Sequence, residues 1–192
     1  MGKSIRGTKT EKNLLAAFAG ESQARNRYTY FASVAKKEGY EQIAAIFLET
    51  AENEKEHAKV FFKHLEGGDA EITASYPAGM IKDTKSNLEE AAAGENLEWT
   101  VLYANFAQVA GDEGFDDVAT SFEQVANVEK FHEARYRKLI GNIENNEVFK
   151  KKMPVKWHCI NCGYVYEGVE APKQCPACKH PQSFYEVLAQ NY

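Results

Sequence analysis

Apolar residues recur at every third or fourth position in four long stretches of the first 144 residues. This spacing puts them on one face of a helix, so it predicts four amphipathic α-helices. Ser or Thr followed three residues later by Glu, at Thr8 and at Ser86, predicts the capped starts of the first and third helices. The predicted helices cover residues 8–39, 41–67, 86–111 and 115–141.

The connections between these helices predict their arrangement. Short turns join the first helix to the second and the third to the fourth, so each pair is expected to form an antiparallel hairpin. Between the two pairs lies a long segment, residues 69–85, which contains Pro77 and Gly79. One long crossover is typical of ferritin-like four-helix bundles. The predicted fold is therefore mainly α, with a ferritin-like bundle over residues 1–146.

Glutamate interrupts the apolar stripe near the middle of each predicted helix. A buried carboxylate costs several kcal/mol unless it is paired, and carboxylates that converge in one core also repel one another. Two divalent cations would nearly cancel the charge of such a group. The sequence therefore predicts a dinuclear metal site inside the bundle, formed by Glu21, Glu54, Glu95, Glu98 and Glu129.

Two Glu-x-x-His motifs strengthen this prediction. They are Glu54 with His57 and Glu129 with His132, and residues three apart project to the same side of a helix. A single motif is weak evidence, but two motifs, each preceded by a stripe glutamate, match a known diiron or dimanganese arrangement. Oxygen-rich ligation with a few imidazoles suits iron or manganese better than structural zinc. The alternative is surface salt bridges, which we expect for Glu49, Glu52, Glu56 and Glu133.

The last part of the chain predicts a second, small domain over residues 155–192, after a linker over residues 147–154. It holds all four cysteines, in two Cys-x-x-Cys motifs, and paired motifs of this kind predict a tetrahedral metal site. Zinc and a single iron both accept four thiolates, so both remain open. The cysteines are Cys159, Cys162, Cys175 and Cys178, and the predicted aromatic core around them is Trp157, Tyr164, Tyr166, Phe184 and Tyr185.

The segment 156–166, followed by Cys-Pro-Ala-Cys at 175–178, resembles a rubredoxin domain. Together with the predicted diiron bundle, the chain from about Lys9 to Val187 resembles rubrerythrins. The resemblance implies that Glu54 and Glu129 bridge two iron ions. It also implies terminal ligation by Glu21 on one iron and by Glu95 and His132 on the other, with Glu98 and His57 exchanging as ligands. Tyr28 and Tyr103 resemble hydrogen-bond donors to the ligands, although ordinary core packing would explain them equally well.

The implied activity is reduction of hydrogen peroxide to water at the diiron site, with protection against oxidative stress as its purpose. Electrons would pass through the four-cysteine iron from rubredoxin or an NAD(P)H-dependent reductase, and the resemblance implies a homodimer or a larger assembly. Two alternatives stay open. One is a ferroxidase that handles iron, and the other is a non-enzymatic protein in which zinc in the cysteine site only stabilises the fold.

Composition and charge exclude several other classes. The net charge is −5, and basic residues are interspersed with acidic ones, so we expect no nucleic-acid partner. The chain has no apolar run that could span a bilayer and no apolar leader, so the expected location is cytoplasmic. Cysteines confined to one cluster favour metal binding over a disulfide framework.

Overall fold

The computed structural model describes residues 3–191, whose first part is a bundle of long helices. A π-helical turn at Glu98–Leu102 joins α3 to α4, so together they form the third long helix of the bundle. No helix within residues 3–191 is long and apolar enough to cross a membrane. The helices are α1 Lys9–Lys37, α2 Glu41–Lys63, α3 Thr84–Leu97, α4 Tyr103–Asp112 and α5 Asp116–Glu144.

Side chains fix the starts of two of these helices. The predicted cap at Thr8 is confirmed, because its hydroxyl accepts a hydrogen bond of 3.1 Å from the Glu11 N–H. The predicted cap at Ser86 is wrong. The Asp83 carboxylate accepts from the Ser86 N–H at 2.9 Å, so α3 begins at Thr84. Asp caps a helix as well as Ser does, and here it stands three residues earlier in the chain.

One long crossover separates the two helix pairs, as the sequence predicts. The residues between α2 and α3 form neither helix nor strand, and most of them are exposed. The second helix ends at Lys63, before the predicted end at Gly67. Its last turn closes through hydrogen bonds from the His64 and Leu65 N–H groups to the carbonyls of Phe61 and Phe62, which is a tighter pattern than that of an α-helix.

The interior of the bundle contains two apolar clusters rather than one continuous core. The first cluster includes Tyr28, Phe47 and Tyr136, and the second includes Phe61, Tyr103 and Phe122. Along α2, Phe47 and Phe61 lie on either side of the buried Glu54. A polar layer therefore separates the clusters in the middle of the bundle.

The C-terminal domain is a three-stranded antiparallel sheet with strand order β2-β1-β3, where β1 is Lys150–Cys159, β2 is Val165–Glu170 and β3 is Tyr185–Val187. The predicted linker, residues 147–154, overlaps β1 from Lys150 onwards, where Lys150 pairs with Glu170. The exact domain boundaries stay a prediction.

Candidate metal centres

The predicted ligands of the bundle converge in the layer between the two apolar clusters. They form two groups, and in each group one ligand atom per residue lies within 4.8 Å of the others. Both groups contain Glu54 and Glu129, so the layer offers two adjacent cation sites with shared carboxylates. The first group is Glu21, Glu54, His57 and Glu129, and the second is Glu54, Glu95, Glu129 and His132.

Several buried oxygen atoms of this layer have no hydrogen-bond partner. Proteins rarely retain such atoms without a compensating ligand or a function, since each one forfeits its hydration. His132 Nδ1 lies 2.7 Å from a Glu129 oxygen but without hydrogen-bond geometry, so no direct hydrogen bond satisfies that pair. Carboxylate oxygens with two imidazole nitrogens therefore fit a pair of iron ions. The unpartnered oxygens are Glu21 Oε2, Glu54 Oε1, Glu95 Oε2 and both carboxylate oxygens of Glu129.

Two buried tyrosines hold the carboxylates in place. The Tyr28 hydroxyl donates to Glu95 at 2.6 Å, and the Tyr103 hydroxyl donates to Glu21. Tyr28 belongs to the first apolar cluster and Tyr103 to the second, so the layer is anchored from both sides. The sequence left their contacts open, and the structure shows that both side chains reach candidate ligands.

The electrostatics of the carboxylates reflect their crowding. Burial raises the pKa of Glu21 and of Glu95 well above the usual range, and the charges of neighbouring glutamates raise both further. Burial, followed by the charges of Glu129 and Glu54, raises the pKa of Glu98 to about 8. Carboxyl groups in this condition resist ionisation until a cation supplies compensating charge.

The imidazoles supply part of that charge when they are protonated. Burial lowers the pKa of each ring, but the adjacent carboxylates of Glu129 and Glu54 outweigh burial and raise His57 to about 10 and His132 to about 9. Burial also opposes ionisation of Glu54, yet contacts from both imidazoles lower its pKa to about 2. A metal ion can bind only after these rings lose their protons, so metal uptake should release protons.

Glu98 stands apart from the other candidate ligands. It is half-buried and belongs to neither group of converging atoms. It opens the π-helical turn, in which the Tyr103 N–H bonds to the Glu98 carbonyl. Its side chain lines a cavity of about 260 Å³ between α1, the crossover and the third long helix. Burial, followed by the charge of Glu98, raises the pKa of Glu21, and Glu98 also lines the cavity, so it lies between the cavity and the ligand layer. Such π turns inside α-helices are frequent at functional sites.

The prediction that Glu133 is a surface residue is wrong, since only 7% of it is exposed. Its carboxylate accepts hydrogen bonds from Trp99 Nε1 at 2.6 Å, from Asn96 Nδ2 at 3.0 Å and from Arg137 Nε at 2.5 Å. In the sequence, Asn96, Trp99 and Glu133 each directly follow a candidate ligand. This second polar cluster therefore connects Trp99 of the π turn to Glu133 of α5, next to the layer of candidate ligands.

The other glutamates that were expected at the surface do lie there. Glu49, Glu52 and Glu56 are exposed and form ion pairs with basic residues. Exposed pairs of this kind contribute little to stability, because water and salt screen them. Their partners are Arg135 for Glu49, Arg25 and Lys55 for Glu52, and Lys59 for Glu56.

The four cysteines converge in the small domain. The Sγ atoms of Cys159 and Cys178 are 3.8 Å apart, and those of Cys162 and Cys175 are 3.7 Å apart. A disulfide would require a separation of about 2.05 Å. Four sulfurs placed tetrahedrally around one ion at about 2.3 Å are about 3.8 Å from one another. The spacing therefore fits a single ion held by four thiolates.

Two similar turns present these sulfurs. Each turn begins at the first cysteine of a motif, and a backbone N–H four residues later bonds to that cysteine's carbonyl, at 2.8 Å for Gly163 and 2.9 Å for Lys179. Gly163 and Lys179 both have positive φ angles, of 81° and 63°. A hydrogen bond from the His180 backbone lowers the pKa of Cys178 to about 6, which favours the thiolate.

The aromatic core of this domain was predicted in part. Trp157 and Tyr185 are fully buried beside Cys159 and Cys175, with Tyr164 and Phe184 packed against them. Tyr166 was placed in this core wrongly, because it is 39% exposed and does not belong to the apolar cluster of the domain. Val165, Tyr166 and Glu167, which begin β2, are all exposed, and Ala171 fills part of the core instead.

The fold and the two sites define a ferritin-like diiron bundle joined to a rubredoxin-like four-cysteine domain. The chain belongs to the rubrerythrin family. The family model described as Rubrerythrin matches residues 12–140, and the one described as Rubrerythrin, rubredoxin-like domain matches residues 157–186. The predicted resemblance is confirmed, and so is the predicted fold class. Members of this family are generally oxidoreductases of the oxidative-stress response, with a diiron site and an iron-binding four-cysteine site.

Individual relatives support this placement. Rubrerythrin of Porphyromonas gingivalis is 61% identical over 192 residues, which cover 100% of this chain and 96% of the relative. Rubrerythrin of Nitratidesulfovibrio vulgaris is 53% identical over 190 residues, which cover 99% of this chain and all of the relative. A solved structure of fully reduced, all-ferrous nigerythrin matches with a TM-score of 0.63 and 29% identity, over 97% of this chain and 92% of that one.

Proposed function

We propose that the chain is a peroxidase that reduces hydrogen peroxide to water at the diiron site. In this proposal Glu54 and Glu129, which belong to both groups of ligand atoms, would be shared by the two ions. Glu21 would complete one site and Glu95 with His132 would complete the other, while His57 and Glu98 would alternate as a ligand of the first site. The single observation that carries the proposal is the pair of ligand groups that share Glu54 and Glu129.

When bound, a pair of ferrous ions would supply both electrons for the reduction of peroxide, which would avoid release of a hydroxyl radical. The chain's own residues orient and enclose this chemistry. Tyr28 and Tyr103 fix the outer carboxylates, and the apolar clusters on either side limit the access of water. Glu98 borders the cavity through which a small substrate would reach the layer.

The four-cysteine domain is proposed to carry electrons to the diiron site. Phe149 stacks on Tyr40, at the turn between α1 and α2, with ring centroids 6.2 Å apart, so the domain touches one end of the bundle. Glu54 lies about 20 Å further along α2, from a rise of 1.5 Å per residue. This distance supports a homodimer in which the domain of one chain approaches the diiron site of another. Rubredoxin or an NAD(P)H-dependent reductase is the proposed electron donor.

Ferroxidase activity is the second candidate, because a ferritin-like diiron site could also oxidise ferrous iron. The attached four-cysteine domain favours the peroxidase, since iron storage does not require a dedicated path for incoming electrons. A non-enzymatic protein with structural zinc in the cysteine site would have no path for incoming electrons. A cytoplasmic location is part of the proposal.

Steady-state consumption of hydrogen peroxide, with reduced rubredoxin as donor, tests the proposal. We expect catalytic turnover that oxidises two rubredoxins for each peroxide, and a red protein whose visible spectrum bleaches on reduction. Zinc in the cysteine site would leave that site colourless. Peroxide consumption that stops after one turnover and continues only when ferrous iron is added would instead establish a ferroxidase.

A further inference from the structure

The cavity beside Glu98 is larger than hydrogen peroxide requires. Its volume is about 260 Å³. A water molecule occupies roughly 30 Å³, so a hydrogen peroxide molecule fills only about a quarter of this space. A cavity of this size next to the ligand layer leaves room for a substrate that carries a substantial organic group.

The walls of the cavity are mainly apolar. Alanine and leucine side chains of α1 and of the third long helix line it, together with Phe106, and the crossover contributes Tyr76 and Pro77. Tyr76 is tied to α1 by a hydrogen bond of 3.2 Å from its hydroxyl to the Ala16 carbonyl. An apolar space of this kind gains free energy when a hydrocarbon group displaces water or fills a void.

The polar groups of the cavity favour an uncharged substrate. Glu98 and Tyr103 are among its lining residues, and the Tyr103 hydroxyl donates to the candidate ligand Glu21. Arg27 is the cation of the lining, and it is already held by Glu90 at 3.2 Å and by Gln23 at 2.8 Å. Since that guanidinium is paired, the cavity combines mainly apolar walls with a few polar lining groups, which include Glu98 and Tyr103. A molecule with a peroxide group at one end and a neutral hydrocarbon body matches this arrangement.

We propose that the cavity binds organic hydroperoxides, with an aryl or branched alkyl body against the apolar walls and the hydroperoxide group towards Glu98 and Tyr103. This inference rests on the proposed peroxidase function. The O–O bond breaks, two electrons arrive from the same donor chain, and two protons are taken up. The products are the corresponding alcohol and one water.

The test compares cumene hydroperoxide with hydrogen peroxide as substrates of the metal-loaded protein. Ala16→Leu adds bulk at a half-buried position of the cavity wall, and Ala45→Leu is the matched control at an exposed position of α2. We expect Ala16→Leu to lower the ratio of kcat/KM for cumene hydroperoxide to kcat/KM for hydrogen peroxide by about tenfold. Ala45→Leu should leave the ratio unchanged.

Binding of the product alcohol provides a readout that is independent of turnover. Calorimetry should show 2-phenyl-2-propanol binding to the metal-loaded protein, about tenfold more weakly after Ala16→Leu. Gly20→Ala is a second variant at the cavity wall. A Cβ at this position lies 3.7 Å from the Tyr76 ring, an ordinary van der Waals distance, so the fold should tolerate it. We expect this variant to lower both the kcat/KM ratio and the affinity for the alcohol.

The outcomes separate the two proposals. Turnover of hydrogen peroxide without turnover of cumene hydroperoxide, together with no binding of the alcohol, would overturn the organic substrate and leave the peroxidase function standing. An equal loss of both activities in Ala16→Leu would also overturn it. Failure to reduce either peroxide would contradict the peroxidase function itself.

Discussion

Glu54→Ala is expected to remove both metal ions from the bundle and to lower peroxide turnover by about a thousandfold. The reason is that Glu54 belongs to both groups of converging ligand atoms, so its loss weakens two sites at once. The red colour of the four-cysteine centre should persist, because that centre shares no ligand with the bundle. Metal analysis of the purified variant, with its visible spectrum and its steady-state rate, gives all three results.

Glu52→Ala is the matched control for this variant. Glu52 lies on the same helix, is exposed and pairs only with surface cations among its described contacts. Its removal should leave stability nearly unchanged and metal content and turnover at the wild-type level. Full peroxidase turnover in Glu54→Ala would show that the ligand assignment is wrong.

Cys159→Ser is expected to abolish turnover supported by reduced rubredoxin, with a decrease of about a hundredfold, while the bundle keeps its two metal ions. A serine hydroxyl stays protonated at neutral pH and is a poor substitute for a thiolate ligand. Cys159 is fully buried, and its sulfur lies 3.8 Å from that of Cys178, so its loss opens the tetrahedral site. Stopped-flow measurement of donor oxidation, combined with metal analysis, checks this prediction.

Ile160→Ser serves as the control at the neighbouring position. Ile160 is 38% exposed and is not part of the apolar core of the domain, so this variant should retain the red centre and the rubredoxin-supported rate. A small reductant that reaches the diiron site directly should restore peroxide reduction in Cys159→Ser. Undiminished rubredoxin-supported turnover in Cys159→Ser would remove the relay role from the four-cysteine domain.

The main features of the fold could be predicted because they depend on local patterns. Apolar residues at helical spacing identified the helices, and one long connection identified the crossover. Glutamates within the stripes identified the polar layer, since a carboxylate such as Glu54 or Glu129 has no reason to replace an apolar side chain in a core without a partner. The spacing of the paired cysteine motifs likewise predicted a tetrahedral site for one metal ion.

Other features depend on contacts between distant residues and could not be predicted. Glu133 has the sequence context of a surface residue, and only its tertiary contacts with Trp99 and Asn96 make it buried. The π turn at Glu98–Leu102 accommodates one extra residue, so the buried positions after it, at Tyr103, Ala107 and Ala110, are displaced by one residue from the spacing of a continuous α-helix. The competition between Asp83 and Ser86 for the start of α3 also leaves no clear mark in the sequence.

The central claim is that the buried glutamates of the bundle hold two cations. Anomalous diffraction at the iron edge, from crystals of protein purified without oxygen, tests it most directly. We expect two peaks in the bundle, both in contact with Glu54 and Glu129, and a third peak among the four cysteines. Crystals in which the carboxylate layer contains only water, or in which those side chains turn out towards solvent, would contradict the account.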